Sequence, residues 1–476
     1  QVRLFELLAI DVFHLRGKRS TGLYPEHAQG PVRIDEHAER RHGVTVAVHV
    51  SKRKRDRRAQ IGAAPDRFGQ EHIRTRGSIE AGSRVLLVAL SADLVSAQGH
   101  RAGDGFVAVR AGANLVGNTY RVRERKPEPG AGGSIGSEIA RQVANFGPAA
   151  LVLLDHDETH LHDVVMSLDE YRVELSQATG VVDLPGAEME LETVLADIRD
   201  RERMFGVFVK HRPEIVFHAA AHKHVPVLEG HPAEALATNV LGTANLADAA
   251  VANGVGHFVL ISTDKAINPV SVMGTSKWLA EQVVRSLQNG HSVLCAVRFG
   301  NVLGSRGSVI PTFFRQIARG GPVTVTDARM TRYFMSVQEA VQLVLQAAAL
   351  STGGEVFTLD MGEPVRILDV AERLIRLSGR IPGRDVPIVI TGVRPGEKMA
   401  EDIVAPEEEQ LPSGHPAIVV SRPPVPNRAV VHRALAELEY LSFEADPAEL
   451  ASRMKAMAAA AMEDQARKAA RDIATV

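Results

Sequence analysis

Apolar and polar positions along this chain follow two regimes that divide near residue 129. Downstream, short apolar runs recur: Leu151-Val152-Leu153-Leu154, Ile215-Val216-Phe217, Phe258-Val259-Leu260-Ile261 and Val293 to Phe299. Segments with helical spacing separate them, at Ser137 to Asn145, Asn239 to Asn253 and Met273 to Gln288. Runs apolar at every position suit strands covered on both faces, and strands followed by helices predict parallel pairing through crossovers. The expected fold class is α/β, a doubly wound parallel sheet with a smaller C-terminal substrate domain. Ligands of such sheets collect at the carboxyl ends of the strands.

From about residue 300 the alternation loosens, and Pro311, Gly320-Gly321-Pro322, Gly353-Gly354 and Arg394-Pro395-Gly396 punctuate shorter elements. The chain therefore divides into a nucleotide-binding domain at 129–300, a substrate domain at 301–420 and a helical tail at 421–476 with no expected chemistry. Residues 1–128 show no sustained periodicity. The stretches Arg84 to Leu90 and Phe106 to Arg110 are candidate strands that nothing links into a pattern. The basic run Ser51 to Arg58 lacks interleaved aromatics and reads as a solvated segment rather than a nucleic-acid patch.

With 55 Lys and Arg against 57 Asp and Glu, the charge of -2 gives no global attraction to nucleic acid or an anionic membrane. One cysteine, Cys295, excludes an internal disulfide and reads as a small apolar strand residue. No apolar run approaches the roughly 20 residues that span a bilayer. The chain opens on Gln1 with no signal segment, so its beginning reads as processed, truncated or wrongly defined.

Gly130, Gly133 and Gly136 stand in a GxxGxxG spacing with Ser134 and Ile135 between them, just ahead of a helix. Such a turn lets the backbone approach a pyrophosphate, which free N–H groups and the helix dipole then hold. Asp155, at the end of the next strand, is placed to accept from an adenosine ribose, and its charge disfavours a 2′-phosphate. NAD is the expected cofactor, over NADP. The strand that should feed this turn is replaced by Arg121-Val-Arg-Glu-Arg-Lys-Pro-Glu-Pro129. Two prolines and a charge cluster cannot be buried in a central strand without costs on the order of several kcal/mol. Either another segment completes the sheet, or residues 1–128 are disordered or lie outside the native reading frame.

Strand Phe258 to Ile261 runs into Ser262-Thr263-Asp264-Lys265, and a helix near Met273 carries Lys277 on the same face. Taken alone, an Asp-Lys pair and a helix Lys fit a solvated surface as well as a site. At these residues, however, the sequence resembles the bacterial nucleotide-sugar 4,6-dehydratases, a polysaccharide biosynthesis family of the extended short-chain dehydrogenases. The matching segments are Gly130 to Glu138, Leu153-Leu-Asp-His-Asp-Glu158, Asp197-Ile-Arg-Asp200, His218-Ala-Ala-Ala-His-Lys-His-Val-Pro226 and Thr238 to Thr243. They continue with Ser262 to Ala266, Val297 to Val309, Met330 to Met335 and Arg394-Pro-Gly-Glu-Lys398, so about residues 130 to 418 are covered.

The resemblance implies a Rossmann fold and an enzyme that dehydrates a UDP-N-acetylhexosamine such as UDP-GlcNAc for surface polysaccharide synthesis. Most short-chain dehydrogenases carry Tyr four residues before the motif lysine. Met273 stands there, as in one branch of this family, and a thioether cannot act as a base. The branch links catalysis to the triplet that here is Thr263, Asp264 and Lys265. A neutral Lys265 would take the C5 proton and a protonated Asp264 would supply the departing C6 hydroxyl. The resemblance further implies cofactor contacts at Gly130, Gly133, Ser134, Ile135, Gly136, Asp155, Asp197, Ile198, Ala219, Ala220 and Lys277. It implies sugar-nucleotide contacts at Lys223, Arg298, Asn301, Ser308, Arg332, Arg394 and Glu397, the arginines being suited to the diphosphate.

It also implies a homo-oligomer in the cytoplasm, working near the inner face of the membrane, with no nucleic-acid partner. Metal binding by His218, His222 and His224, or by His156, His160 and His162, is disfavoured: the first cluster belongs to a family motif, and His222 and His224 read as structural. Two rivals stand beside the dehydratase, a UDP-sugar 4-epimerase or reductase and a catalytically silent NAD-binding protein. The first is opposed by Met273 and the Asp264-Lys265 pair. The second is favoured if the first strand is truly lost.

Overall fold

A computed structural model describes residues 87–91, 104–111, 133–179, 189–305, 307–405 and 408–474. Gly130, first glycine of the expected turn, lies outside the described residues. The frame is a sheet built from β3 (Pro148–Asp155), β4 (Glu190–Leu195), β5 (Ile215–His218), β6 (His257–Ile261), β7 (Val293–Arg298) and β8 (Val356–Leu359). β3 with β4, and β5 through β8 in turn, pair in parallel, with Val259 opposite Cys295 and Val297 opposite Phe357. β10 (Ile418–Ser421) closes the edge antiparallel to β8 and is followed by β9 (Gln410–Pro412). The order β9-β10-β8-β7-β6-β5-β1-β2-β3-β4, with β1 (Leu87–Ser91) and β2 (Asp104–Ala111) at its centre, is doubly wound, with α1 (Ser134–Ala144), α2 (Glu158–Thr179), α3 (Arg201–His211), α4 (Thr243–Ala252), α5 (Val272–Ser286) and, between β7 and β8, α7 (Val337–Leu350) as crossovers.

Continuous apolar runs explain why the strands sit centrally. Leu151, Leu153, Leu154, Val216, Phe258, Leu260, Ala296 and Val297 are all buried, because helices cover both faces of the sheet. Cys295 belongs to this layer, and burial pushes its thiol up to about 12.

The strand missing ahead of the glycine turn is supplied from further upstream, by the two apolar stretches noted in the sequence. β1 (Leu87–Ser91) runs parallel to its neighbours, with Ala89 opposite Leu154 of β3 and Val88 opposite Phe217 of β5. β2 (Asp104–Ala111) runs antiparallel, with Phe106 opposite the same Leu154 and Val107 opposite the same Phe217. Leu154 and Phe217 are already paired on their other sides, with Val194 and Val259, so both stretches address the single gap between β3 and β5.

The segment from residue 301 to 420 is not wholly apart from the sheet, since β8, β9 and β10 belong to it. Its own core is a second apolar cluster in which Ile310, Phe313 and Ile317 of α6 (Val309–Ala318) meet Val370, Leu374 and Ile375 of α8 (Ile367–Leu377). The C-terminal residues form α9 (Arg428–Glu444) and α10 (Pro447–Ala474), and Leu438, Leu450, Met454 and Ala458 are buried in the main core. The tail is thus a packed layer beside α5. Among the described residues no helix is long and apolar enough to cross a membrane.

Candidate active site

Every candidate group on β3, β5 and β6 lies at or just beyond a strand's carboxyl end. At β3, Asp155 is fully buried. Its Oδ1 accepts from the Asp157 amide at 2.9 Å and meets His156 Nδ1 at 3.1 Å, while Oδ2 has no hydrogen-bond partner among the described residues. α1 starts at Ser134 with Gly133 at its N-cap and no side-chain cap, so the positive end of its dipole faces the carboxyl end of the sheet. Past β4, Ile198 is buried and Asp197 is gripped by Arg199. Burial raises the Asp197 carboxyl, but the Arg199 bonds outweigh it and hold the group below its usual value. Ala219 and Ala220 follow β5, both buried.

The histidine motif after β5 is a folding device. Asn239 accepts from the His222 amide at 2.7 Å, and its Nδ2 donates to the His222 carbonyl and to Ser276 Oγ, both at 2.9 Å. His218 Nε2 meets Thr243 Oγ1 at 2.8 Å. Burial drives His218 well below its ordinary pKa, with Lys277 adding to the effect, and takes His222 down to about 4. Both rings are neutral at physiological pH.

After β6 the backbone turns through Asp264–Ala266, and Thr263 caps that turn. Asp264 is 3% exposed. Its Oδ1 accepts from Thr263 Oγ1 and from Lys265 Nζ, each at 2.8 Å, while Oδ2 is buried with no partner among the described residues. Lys265 Nζ also donates to Asn301 Oδ1 at 3.2 Å. Two glycines permit this crowding. A Cβ on Gly300 would lie 2.9 Å from Asp264 Oδ2, and one on Gly274 would lie 2.2 Å from the Lys265 carbonyl. The second contact seats the start of α5 directly on the Thr-Asp-Lys turn, and Met273 and Lys277 are buried on that helix.

The structure assigns two of the expected diphosphate arginines elsewhere. Arg298 is 2% exposed, and its Nε and Nη2 bind Glu281 at 2.8 and 2.6 Å while Nη1 binds Glu408 at 2.9 and 2.8 Å. Burial lowers its pKa, but the two carboxylates more than reverse this, so Arg298 is an ion-pair centre within the protein. Arg332 donates to the carbonyls of Thr331, Lys398 and Met399 and lies 3.8 Å from Glu401, which makes it a brace for residues 398–401. Arg394 is exposed on the Arg394–Glu397 turn, whose ends are tied by the Glu397 amide to the Arg394 carbonyl at 3.1 Å. Lys223 is half-buried, and Ser308 stands at the N-cap position of α6 without a side-chain capping bond, next to Gly307, where an added Cβ would strike His224 at 2.6 Å.

Glu401 escaped the sequence reading. It is 7% exposed, with Oε1 3.9 Å from Lys265 Nζ. Its signal was its place three residues past Lys398, on the far side of the Arg-Pro-Gly-Glu-Lys motif. Glu229 was missed as well. It accepts from the Val272 amide at 2.6 Å and from Lys455 Nζ at 3.0 Å, tying the start of α5 to α10.

The sheet order and the triplet at the end of β6 define a Rossmann-type α/β domain. Residues 129–423 match the family described as polysaccharide biosynthesis protein, and the chain belongs to that family. It is 48% identical over 294 residues to the probable polysaccharide biosynthesis protein EpsC of Bacillus subtilis, covering 62% of this chain and 47% of EpsC. It is 51% identical over 281 residues to the capsular polysaccharide biosynthesis protein CapD of Staphylococcus aureus, covering 59% of this chain and 45% of CapD. The chain thus spans about half the length of these two relatives. Among solved structures, Pen from Bacillus thuringiensis superposes with a TM-score of 0.50 at 30% identity, over 62% of this chain and 85% of Pen.

Proposed function

We propose that this chain is an NAD-dependent nucleotide-sugar 4,6-dehydratase acting on a UDP-N-acetylhexosamine, with UDP-GlcNAc the first substrate to try. The observation that carries the reading is the Thr263-Asp264-Lys265 cluster: a buried acid with one oxygen shared by a hydroxyl and an amine, its other oxygen unpartnered, and no phenol at Met273. An epimerase or alcohol dehydrogenase of this class needs that phenol as its base, so the thioether favours dehydration.

The N-terminus of α1 behind Gly133 and the buried carboxylate of Asp155 at the end of β3 fit a dinucleotide. Gly133, Ser134, Ile135 and Gly136 would hold its pyrophosphate, Asp155 its adenosine ribose, and Lys277 its nicotinamide ribose, with Asp197, Ile198, Ala219 and Ala220 along the cleft. NAD held there would supply the hydride acceptor and donor that the dehydration needs. The protein moves the protons. Thr263 Oγ1 receives the C4 hydroxyl proton and relays it to Asp264 Oδ1, Asp264 supplies the departing C6 hydroxyl, and Lys265 removes and later restores the C5 proton. Asn301 steadies the Lys265 amine, and exposed Arg394 is the residue best placed to meet the diphosphate.

The test incubates purified protein with NAD and UDP-GlcNAc and follows the absorbance and mass of a 4-keto-6-deoxy product. Lys265→Ala and Asp264→Asn should still bind NAD yet give no product. Full turnover by either variant ends that residue's role, and NAD binding without product by the wild type favours a silent NAD-binding protein.

A further inference from the structure

We propose that Glu401 is a positioning residue that accepts the ammonium proton of Lys265 during turnover and thereby frees Nζ to act as the base at C5. The inference rests on the dehydration reading above. It answers a difficulty that the geometry creates: an amine 2.8 Å from a carboxylate keeps its proton, and an ammonium removes nothing from carbon.

Lys265 Nζ sits between two acids, 2.8 Å from Asp264 Oδ1 and 3.9 Å from Glu401 Oε1, so a shift of about an ångström exchanges its partner. Glu401 is buried, its Oε2 has no partner among the described residues, and Arg332 Nε lies 3.8 Å from Oε1 on the other side. The charged groups facing it are Lys265, Asp264, Arg332 and Lys398. Burial raises its carboxyl most, Lys265 pulls it down, Asp264 pushes it up again, and Arg332 and Lys398 pull it down; the net direction is upward. A carboxylate whose proton affinity is raised in this way is a better acceptor for a lysine proton than one in water.

The protons balance. The C4 hydroxyl proton passes through Thr263 to Asp264, so the Lys265 ammonium no longer faces a carboxylate there and gives one proton to Glu401. Neutral Nζ then takes the C5 proton, and Asp264 gives its proton to the C6 hydroxyl, which leaves as water. Lys265 returns its proton to C5 and recovers another from Glu401. The electrons that leave C4 return at C6, so no outside oxidant is consumed. Glu401 touches no reacting atom and works only through Lys265.

The experiment compares wild type, Glu401→Gln and Glu401→Asp for kcat and KM with UDP-GlcNAc and NAD across pH 5 to 9, with thermal melts as a folding control. Wild-type kcat should fall on the acid side at a pH above the ordinary carboxylate range, because Glu401 is then already protonated. Glu401→Gln should lose at least a hundredfold in kcat with KM within about threefold, and that acid limb should vanish. Glu401→Asp, which keeps an acceptor, should recover at least tenfold over Gln and keep the limb; it carries the test alone if the Gln variant does not fold. A Gln variant with near-normal kcat, or one that loses rate while the acid limb stays in place, overturns the inference and leaves dehydration standing. A wild type that makes no 4-keto-6-deoxy product overturns both.

Discussion

Replacing Arg298 separates the role that sequence motifs suggest from the role that the structure gives it. In Arg298→Met the apolar stem is retained and the guanidinium removed. Glu281, fully buried, then keeps only the 2.6 Å bond from Ser262 Oγ, and Glu408 loses both of its contacts to Nη1. Breaking one side of a buried ion pair costs about 3–5 kcal/mol, mostly the penalty of the stranded charge. At a midpoint shift of roughly 2 °C per kcal/mol for a large domain, melting should fall by about 6–10 °C. Thermal and urea unfolding read this directly, beside KM for the UDP-sugar at a temperature where the variant is folded. Adding Glu281→Gln, which keeps an acceptor for Ser262 but removes the stranded charge, should restore more than half of the loss. A variant that melts within about 2 °C of wild type while KM rises tenfold or more would put the guanidinium on the diphosphate and refute the argument.

Gly300→Ala places a Cβ 2.9 Å from Asp264 Oδ2 and 3.3 Å from Tyr333 Cβ, so it should displace the carboxyl, reduce turnover at least tenfold and cost about 1–3 kcal/mol of stability in a urea titration. His218 and His222 are held neutral below their unfolded value, so the unfolded chain binds more protons in that window and stability rises with pH there. For His222 the contribution is fully present above pH 6.5 and is lost as pH falls toward about 4, at a limiting slope of about 1.4 kcal/mol per pH unit, and His218 acts in the same direction. His222→Gln should therefore lower the slope by up to about 1.4 kcal/mol per pH unit in urea titrations between pH 6.5 and 4.5, and an unchanged slope would count against a neutral buried ring. Glu229→Ala removes the acceptor at the Val272 amide and should destabilise by about 1–2 kcal/mol, whereas Lys455→Met should cost less because that amide keeps its partner.

The centre of the sheet was legible because β3, β5, β6 and β7 carry continuous apolar runs, the mark of a strand buried on both faces, whereas β4, Glu-Leu-Glu-Thr-Val-Leu at the edge, leaves none. The triplet at Thr263, Asp264 and Lys265 was legible for a related reason, since its place at the end of a strand follows from the fold. Side-chain direction was not. Arg298 and Arg394 stand in motifs of equal promise, yet one is turned into the core by Glu281, on the preceding helix, and by Glu408, more than a hundred residues later in the chain. Glu401 was hidden because its meaning depends on Lys265 across the fold. The central gap misled in another way. β1 and β2 address it from positions whose local pattern is too short to signal a partner.

The burial of Leu438, Leu450, Met454 and Ala458 bears on where this molecule can be cut. Trimming to the segment that matches the family, 129–423, removes α9 and α10, bares the apolar surface they cover and releases the lysine that steadies Glu229. A minimal version drawn along sequence similarity alone should be sticky in solution and loose at the start of α5, and a sound one runs on through the last turns of α10.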